Sequence, residues 1–158
     1  MSALPVSFRS CPVTEEPAAG LVRAMAVEIA EIYDGLVIDG PDMPKAGPGE
    51  LGPPGGDFLV GWLDGEAVCG GGIKRLSDEA CEIKRMFVTP TARGRGVAGA
   101  LLVALEDRAR AMGYRLARLD TGPRQPRSQG MYERAGYTRI ENFNANPMAT
   151  FFGEKQLG

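Results

Sequence analysis

The chain has 158 residues, 44% hydrophobic and 24% charged, with a formal net charge of −2. That balance is ordinary for one globular domain with its own core, and a single domain over residues 1–158 is expected. It excludes a disordered or collagen-like chain, and no apolar run approaches membrane-spanning length.

Histidine is absent, which removes the commonest general base and metal ligand, so acid–base work falls to a carboxylate, Tyr, Cys or Lys. Cys11, Cys69 and Cys81 form no C-x-x-C pair, and no metal is expected. They read as reduced thiols in strands, and Pro5 and Arg9 interrupt the short apolar start. A cytoplasmic location is expected from both. Charge is unevenly spread. Residues 82–139 hold 12 of the 18 Lys and Arg but 5 of the 20 Asp and Glu, a net +7 against −9 elsewhere. This suits an anionic cofactor on one side and an amine on the other. The basic residues are not interleaved with stacking aromatics, so no nucleic-acid partner is expected, and no membrane partner either.

In chain order, Val6 to Val13 reads as a first strand. Glu15-Glu16-Pro17 opens a helix whose buried face carries Leu21, Met25, Ile29 and Ile32. Asp39 to Gly56 is a long Gly/Pro-rich loop, either functional or a disordered surface segment. Asp57 to Leu63 and Glu66 to Leu76 form a hairpin around Asp64-Gly65. Gly70-Gly71-Gly72 in the second of these strands predicts a bulge or close packing against something bulky. Glu82 to Val88 is the central strand, followed by a turn with Pro90. An amphipathic helix then follows Gly94-Arg95-Gly96, with Leu101, Leu102, Leu105 and Ala109 on its apolar face. After Gly113 come a strand from Arg115 to Thr121, a short helix from Pro126 ended by Gly136, and strands at Tyr137 to Glu141 and Ala149 to Gln156.

The link between the central strand and its helix looks like a phosphate cradle. Glycines let the backbone approach a ligand closely, and free N–H groups at a helix mouth favour phosphate. Two patterns fit. Gly94, Gly96 and Gly99 spell the dinucleotide fingerprint G-x-G-x-x-G, with Asp120 about twenty residues on. Arg93-x-x-Gly96-x-Ala98 instead resembles the R/Q-x-x-G-x-G/A motif of the GNAT superfamily of acyl-CoA-dependent N-acyltransferases. Gln125-x-x-Ser128-x-x-x-Tyr132-Glu133-x-x-Gly136-Tyr137 resembles that family's second motif, with Gln125 where Asn is usual and Ser128 where Ala is usual. Within that family the run Glu82-Ile83-Lys84-Arg85-Met86-Phe87-Val88 and the later Thr121-Gly122-x-x-Gln125-Pro126 look most like small bacterial acetyltransferases, some of which carry an indole-acetic-acid-related label.

The resemblance implies an α/β (α+β) fold with a mixed, mostly antiparallel sheet, flanked by helices and splayed to admit acyl-CoA. It implies acetyl transfer from acetyl-CoA to a primary amine of a small molecule by direct attack, and a possible homodimer. It implies catalytic roles for Glu82, as base directly or through water, and for Tyr132, as proton donor to the leaving thiolate. Main-chain amides of Arg93, Gly94, Arg95, Gly96, Val97 and Ala98 would meet the pyrophosphate. Met86, Phe87 and Val88 would pair with the pantetheine arm, Val88 offering its N–H to the thioester oxygen. Gln125, Ser128 and Tyr132 complete the cofactor set. Lys84 and Arg85 point to opposite faces of an ideal strand; one could contact an acceptor carboxylate or the coenzyme phosphates, but the sequence favours solvated or salt-bridged positions for them. A non-catalytic acyl-CoA-binding domain and a dinucleotide oxidoreductase are the alternatives.

Overall fold

A computed structural model describes residues 5–158; the first four residues, part of the short apolar start read above, lie outside the described residues. The elements are β1 (Ser7–Ser10), α1 (Ala18–Ile32), β2 (Asp57–Leu63), β3 (Glu66–Arg75) and β4 (Ala80–Val88). They continue as α2 (Val97–Ala111), β5 (Leu116–Thr121), α3 (Pro126–Arg134), β6 (Thr138–Arg139) and β7 (Phe151–Gln156), with a short 3₁₀ turn at Pro90–Ala92 before α2. The seven strands form one sheet in the order β1-β2-β3-β4-β5-β7-β6. Among the described residues only β4 and β5 run parallel, as a strand–helix–strand crossover through α2 requires.

Alternation along β2 divides the core. Leu59 and Leu63 face α2, whose Val97, Leu101, Leu102, Leu105 and Ala109 are buried against the sheet. Phe58 and Val60 face α1, with Ala18, Leu21, Leu51 and Phe87. The three glycines of β3 are explained by these neighbours. A Cβ at Gly70 would sit 2.8 Å from Phe58, at Gly71 2.7 Å from Leu105, and at Gly72 2.8 Å from Leu51. The last contact also pins the long loop. Leu51 is buried in the α1-side cluster, so the segment read as either functional or disordered surface is packed on the α1 face.

Some boundaries differ from expectation. β1 ends at Ser10 rather than Val13, because after the Cys11 amide bonds Phe58 O at 2.9 Å, Pro12 has no N–H to continue the ladder. Pro17 is the N-cap of α1; the Glu16 carboxylate accepts the Gly20 amide at 3.0 Å and does the capping. The strand read over Tyr137 to Glu141 shortens to β6. Cys69 and Cys81 are buried free thiols, pushed up to about 11 and about 12 by burial, whereas Cys11 is only half-buried.

Two irregularities position the site. β4 and β5 pair over only three positions, Ala80 with Leu116 to Glu82 with Arg118, and then part. Arg85 has φ +58°, and the β3–β4 register slips between Gly70 and Gly72, so β4 carries a bulge. The sheet opens where the bulge sits.

Candidate active site

The mouth of α2 is built by two glycines in left-handed conformation, Gly94 at φ +77° and Gly96 at φ +80°. Such angles cost an L-residue roughly 1–2 kcal/mol. They turn the backbone so that the amides of residues 94–99 find no acceptor among the described residues; the first helical bond is Ala100 N–H to Gly96 O at 3.2 Å. A run of free N–H groups at a helix N-terminus is a receptor for a phosphate chain. Nothing lies within 4 Å of a Cβ at Gly94 or Gly99, so the cradle is open. Val97 is buried beneath it, Ala98 is half-buried and Arg95 is exposed.

Arg93 does something else. Its amide turns back to Pro90 O at 3.4 Å. Its side chain donates from Nε to Val88 O at 2.9 Å, pairs with Glu28 at 2.7 Å and lies over the Phe87 ring at 5.4 Å. It braces the cradle against β4 and α1.

Val88 lies opposite Cys69 in β3, and the Thr89 amide bonds Val68 O at 2.8 Å. That pattern makes Val88 a non-hydrogen-bonded position whose own N–H and C=O point away from β3, into the splay. Phe87 is buried toward α1, and Met86 packs on the α2 side.

Behind the splay is a cavity of ≈ 130 Å³. β4 contributes Ile83, Lys84, Arg85 and Met86; β5 contributes Asp120 and Thr121; α3 contributes Gln125, Ser128 and Tyr132. α1 and the long loop roof it with apolar side chains. Tyr132 is buried and donates to Met86 Sδ at 3.8 Å, and burial, with the nearby Asp120 charge, raises its pKa. It therefore holds its proton at neutral pH. Gln125 accepts from the Tyr33 hydroxyl at 3.1 Å, tying α3 to α1.

Glu82 is fully buried and does not itself line the cavity. Its Oε2 accepts from Lys84 Nζ at 3.1 Å and Asn144 Nδ2 at 2.8 Å, while Oε1 has no partner among the described residues. Burial raises its pKa, partly opposed by Lys84 and reinforced by Asp120. The same Asn144 amide donates to Asp120 at 2.7 Å, and Asn146 donates to Asp120 at 3.0 Å. Two carboxylates from the two parting strands are thus held together by one asparagine of the β6–β7 loop.

Sequence reasoning missed this. In the sequence Asp120 has a role only under the dinucleotide reading, and the segment between the last two strands carries none. The alternating Asn142, Asn144 and Asn146 were the available signal. Their Oδ1 atoms accept amides two or three residues on, at 2.9–3.2 Å, and fold the loop back toward β4. The expectation for Arg85 is also corrected. An ideal strand would send Lys84 and Arg85 to opposite faces, but the bulge turns both onto the cavity.

Compared with known proteins, residues 29–137 match the Acetyltransferase (GNAT) family. The chain belongs to that family. It is 33% identical over 91 residues to the uncharacterized N-acetyltransferase YjgM of Escherichia coli, covering 56% of this chain and 54% of that protein. It therefore spans about half the length of that relative. It is 39% identical over 104 residues to an IAA acetyltransferase of Azospirillum brasilense, 63% of this chain and 67% of that protein. Among solved structures, a candidate acyl-CoA N-acyltransferase of Klebsiella pneumoniae superposes with TM-score 0.79 at 26% identity, covering 98% and 99% of the two chains. A GNAT-family acetyltransferase of Staphylococcus aureus shares the fold with TM-score 0.77 at 16% identity, covering 97% and 99%. The dinucleotide alternative falls with the topology, since that fold needs a mostly parallel sheet and here a single strand pair is parallel.

Proposed function

We propose that the protein transfers an acetyl group from acetyl-CoA to the primary amine of a small molecule, by direct attack within a ternary complex. The observation that carries this reading is the run of free amides at residues 94–99, set at the open end of the β4–β5 splay. Two GNAT-family relatives of the same fold have been crystallised with acetyl-CoA, one from Elizabethkingia anophelis and one from Sinorhizobium meliloti. The residues present fit that molecule. The cradle amides would hold its pyrophosphate, and the outward backbone of Val88, with Met86 and Phe87 on the same strand, offers an edge to its pantetheine arm. When bound it supplies the activated acyl group.

The chain's own groups divide the remaining work. Val88 N–H is free to stabilise negative charge on a carbonyl oxygen in the splay. Tyr132 keeps its proton and can give it to a departing thiolate. The incoming amine must lose a proton. Glu82 is too deep for direct contact, so it takes that proton through water at its unpartnered Oε1. A raised pKa brings its basicity nearer neutral pH, where a general base works best. Lys84 and Asn144 keep its carboxylate charged and oriented.

The test is amine-dependent thiol release from acetyl-CoA across an amine panel, with the N-acetyl product identified by mass. Product formation supports the enzyme. Acetyl-CoA binding with no product from any amine would instead favour a binding or sensing domain.

A further inference from the structure

We propose that the amine acceptor is an amino acid with an apolar side chain, held by its carboxylate on Arg85. This rests on the acyl-transfer reading above and narrows it. Arg85 stands at the bulge with φ +58°, a conformation that a non-glycine residue adopts at a cost unless the surroundings enforce it. Its result is that the side chain turns onto the cavity rather than the opposite face.

There the guanidinium is poorly served. Its one side-chain hydrogen bond among the described residues is a long one, from Nη2 to Ile38 O at 3.4 Å. Among the described residues no carboxylate lies within the 4.0 Å of an ion pair. Its basic neighbours differ, with Lys84 neutralised by Glu82 at 3.1 Å and Arg118 by Glu154 at 2.7 Å. A half-buried guanidinium whose planar fork of donors is engaged in no ion pair at the cavity wall is matched by a carboxylate or a phosphate.

The rest of the wall decides between these. Asp120 lines the same cavity, with Asn144 and Asn146 both donating to its Oδ2, so its Oδ1 accepts no hydrogen bond among the described residues. A cation site beside an anion site fits a zwitterion, ammonium toward Asp120 and carboxylate toward Arg85. A doubly charged phosphate would meet repulsion from Asp120 in a space of ≈ 130 Å³. Met25, Ile29, Leu36, Ile38 and Met43 complete the wall and would receive an apolar side chain.

The test uses the full chain and acetyl-CoA, with the proteinogenic L-amino acids, their decarboxylated amines, and phosphorylated amines such as O-phosphoethanolamine. For the preferred side chain, kcat/KM of the amino acid should exceed that of its amine by on the order of 100-fold, the effect of losing a bidentate charged contact. In Arg85→Gln that ratio should fall to near one, chiefly through KM, with Arg85→Lys between. Titration of N-acetyl-amino acids into CoA-saturated protein gives a readout without turnover, and their binding should be lost in Arg85→Gln. Equal rates for amino acids and amines, preference for the phosphorylated amine, or an equal loss for both substrates in Arg85→Gln would each overturn the proposal and leave acyl transfer standing. Failure to bind acetyl-CoA at all would remove both.

Discussion

Gly96→Ala tests the cradle most quantitatively. Gly96 has φ +80° at the N-cap of α2, where a Cβ costs about 1–2 kcal/mol. For a domain of this size that is a fall in Tm of roughly 2–8 °C. If the loop relaxes instead, the amides it orients turn away. Each amide–phosphate hydrogen bond is worth about 1.5–3 kcal/mol, so losing one raises Kd for acetyl-CoA about 10–150-fold. Gly99→Ala is the internal comparison for stability. Gly99 lies inside α2 with open space around its Cβ position, so alanine there should stabilise by about 0.5–1 kcal/mol. Thermal melts without ligand and calorimetric titration with acetyl-CoA read the two effects separately. A Gly96→Ala protein that melts and binds like the wild type would refute the reasoning.

Three further outcomes are expected. Glu82 must be ionised to act as base and its pKa is raised, so kcat should climb with pH through a limb above the ordinary carboxylate range. Glu82→Gln should remove that limb and leave acetyl-CoA affinity unchanged; persistence of the limb would assign it to another group. Lys84→Met removes the cation that opposes the rise, so the limb should move to higher pH, and a shift downward would contradict the ion pair's role. Tyr132→Phe loses only a weak bond to sulfur, so stability should change by less than about 1 kcal/mol. Its kcat should fall about 10²-fold or more, and an unchanged kcat with a fast chemical step would exclude proton donation by Tyr132.

What the sequence revealed and what it hid follow from the range of the interactions. The cradle was legible because its determinants are local, with glycines, a helix start and an apolar face all falling within residues 94–112. The glycine triplet of β3 signalled close packing, but only the fold names Phe58, Leu105 and Leu51 as the cause. The carboxylate pair was invisible because Asn144 reaches Glu82 across 62 positions of sequence. Arg85 was misplaced because a bulge changes the side-chain period locally, and its sign lies in strand register rather than in residue type. Strand order was equally hidden. Nothing in the residues of β7 announces that it inserts between β5 and β6.

The most direct measurement is calorimetric titration of the wild type and Gly96→Glu with acetyl-CoA, with NADH in parallel. Saturable acetyl-CoA binding by the wild type, lost when a carboxylate is placed at the cradle, with no response to NADH, is the predicted result. A wild type that does not bind acetyl-CoA, or a Gly96→Glu protein that binds it unchanged, would contradict the assignment of the residue 94–99 amides to the cofactor.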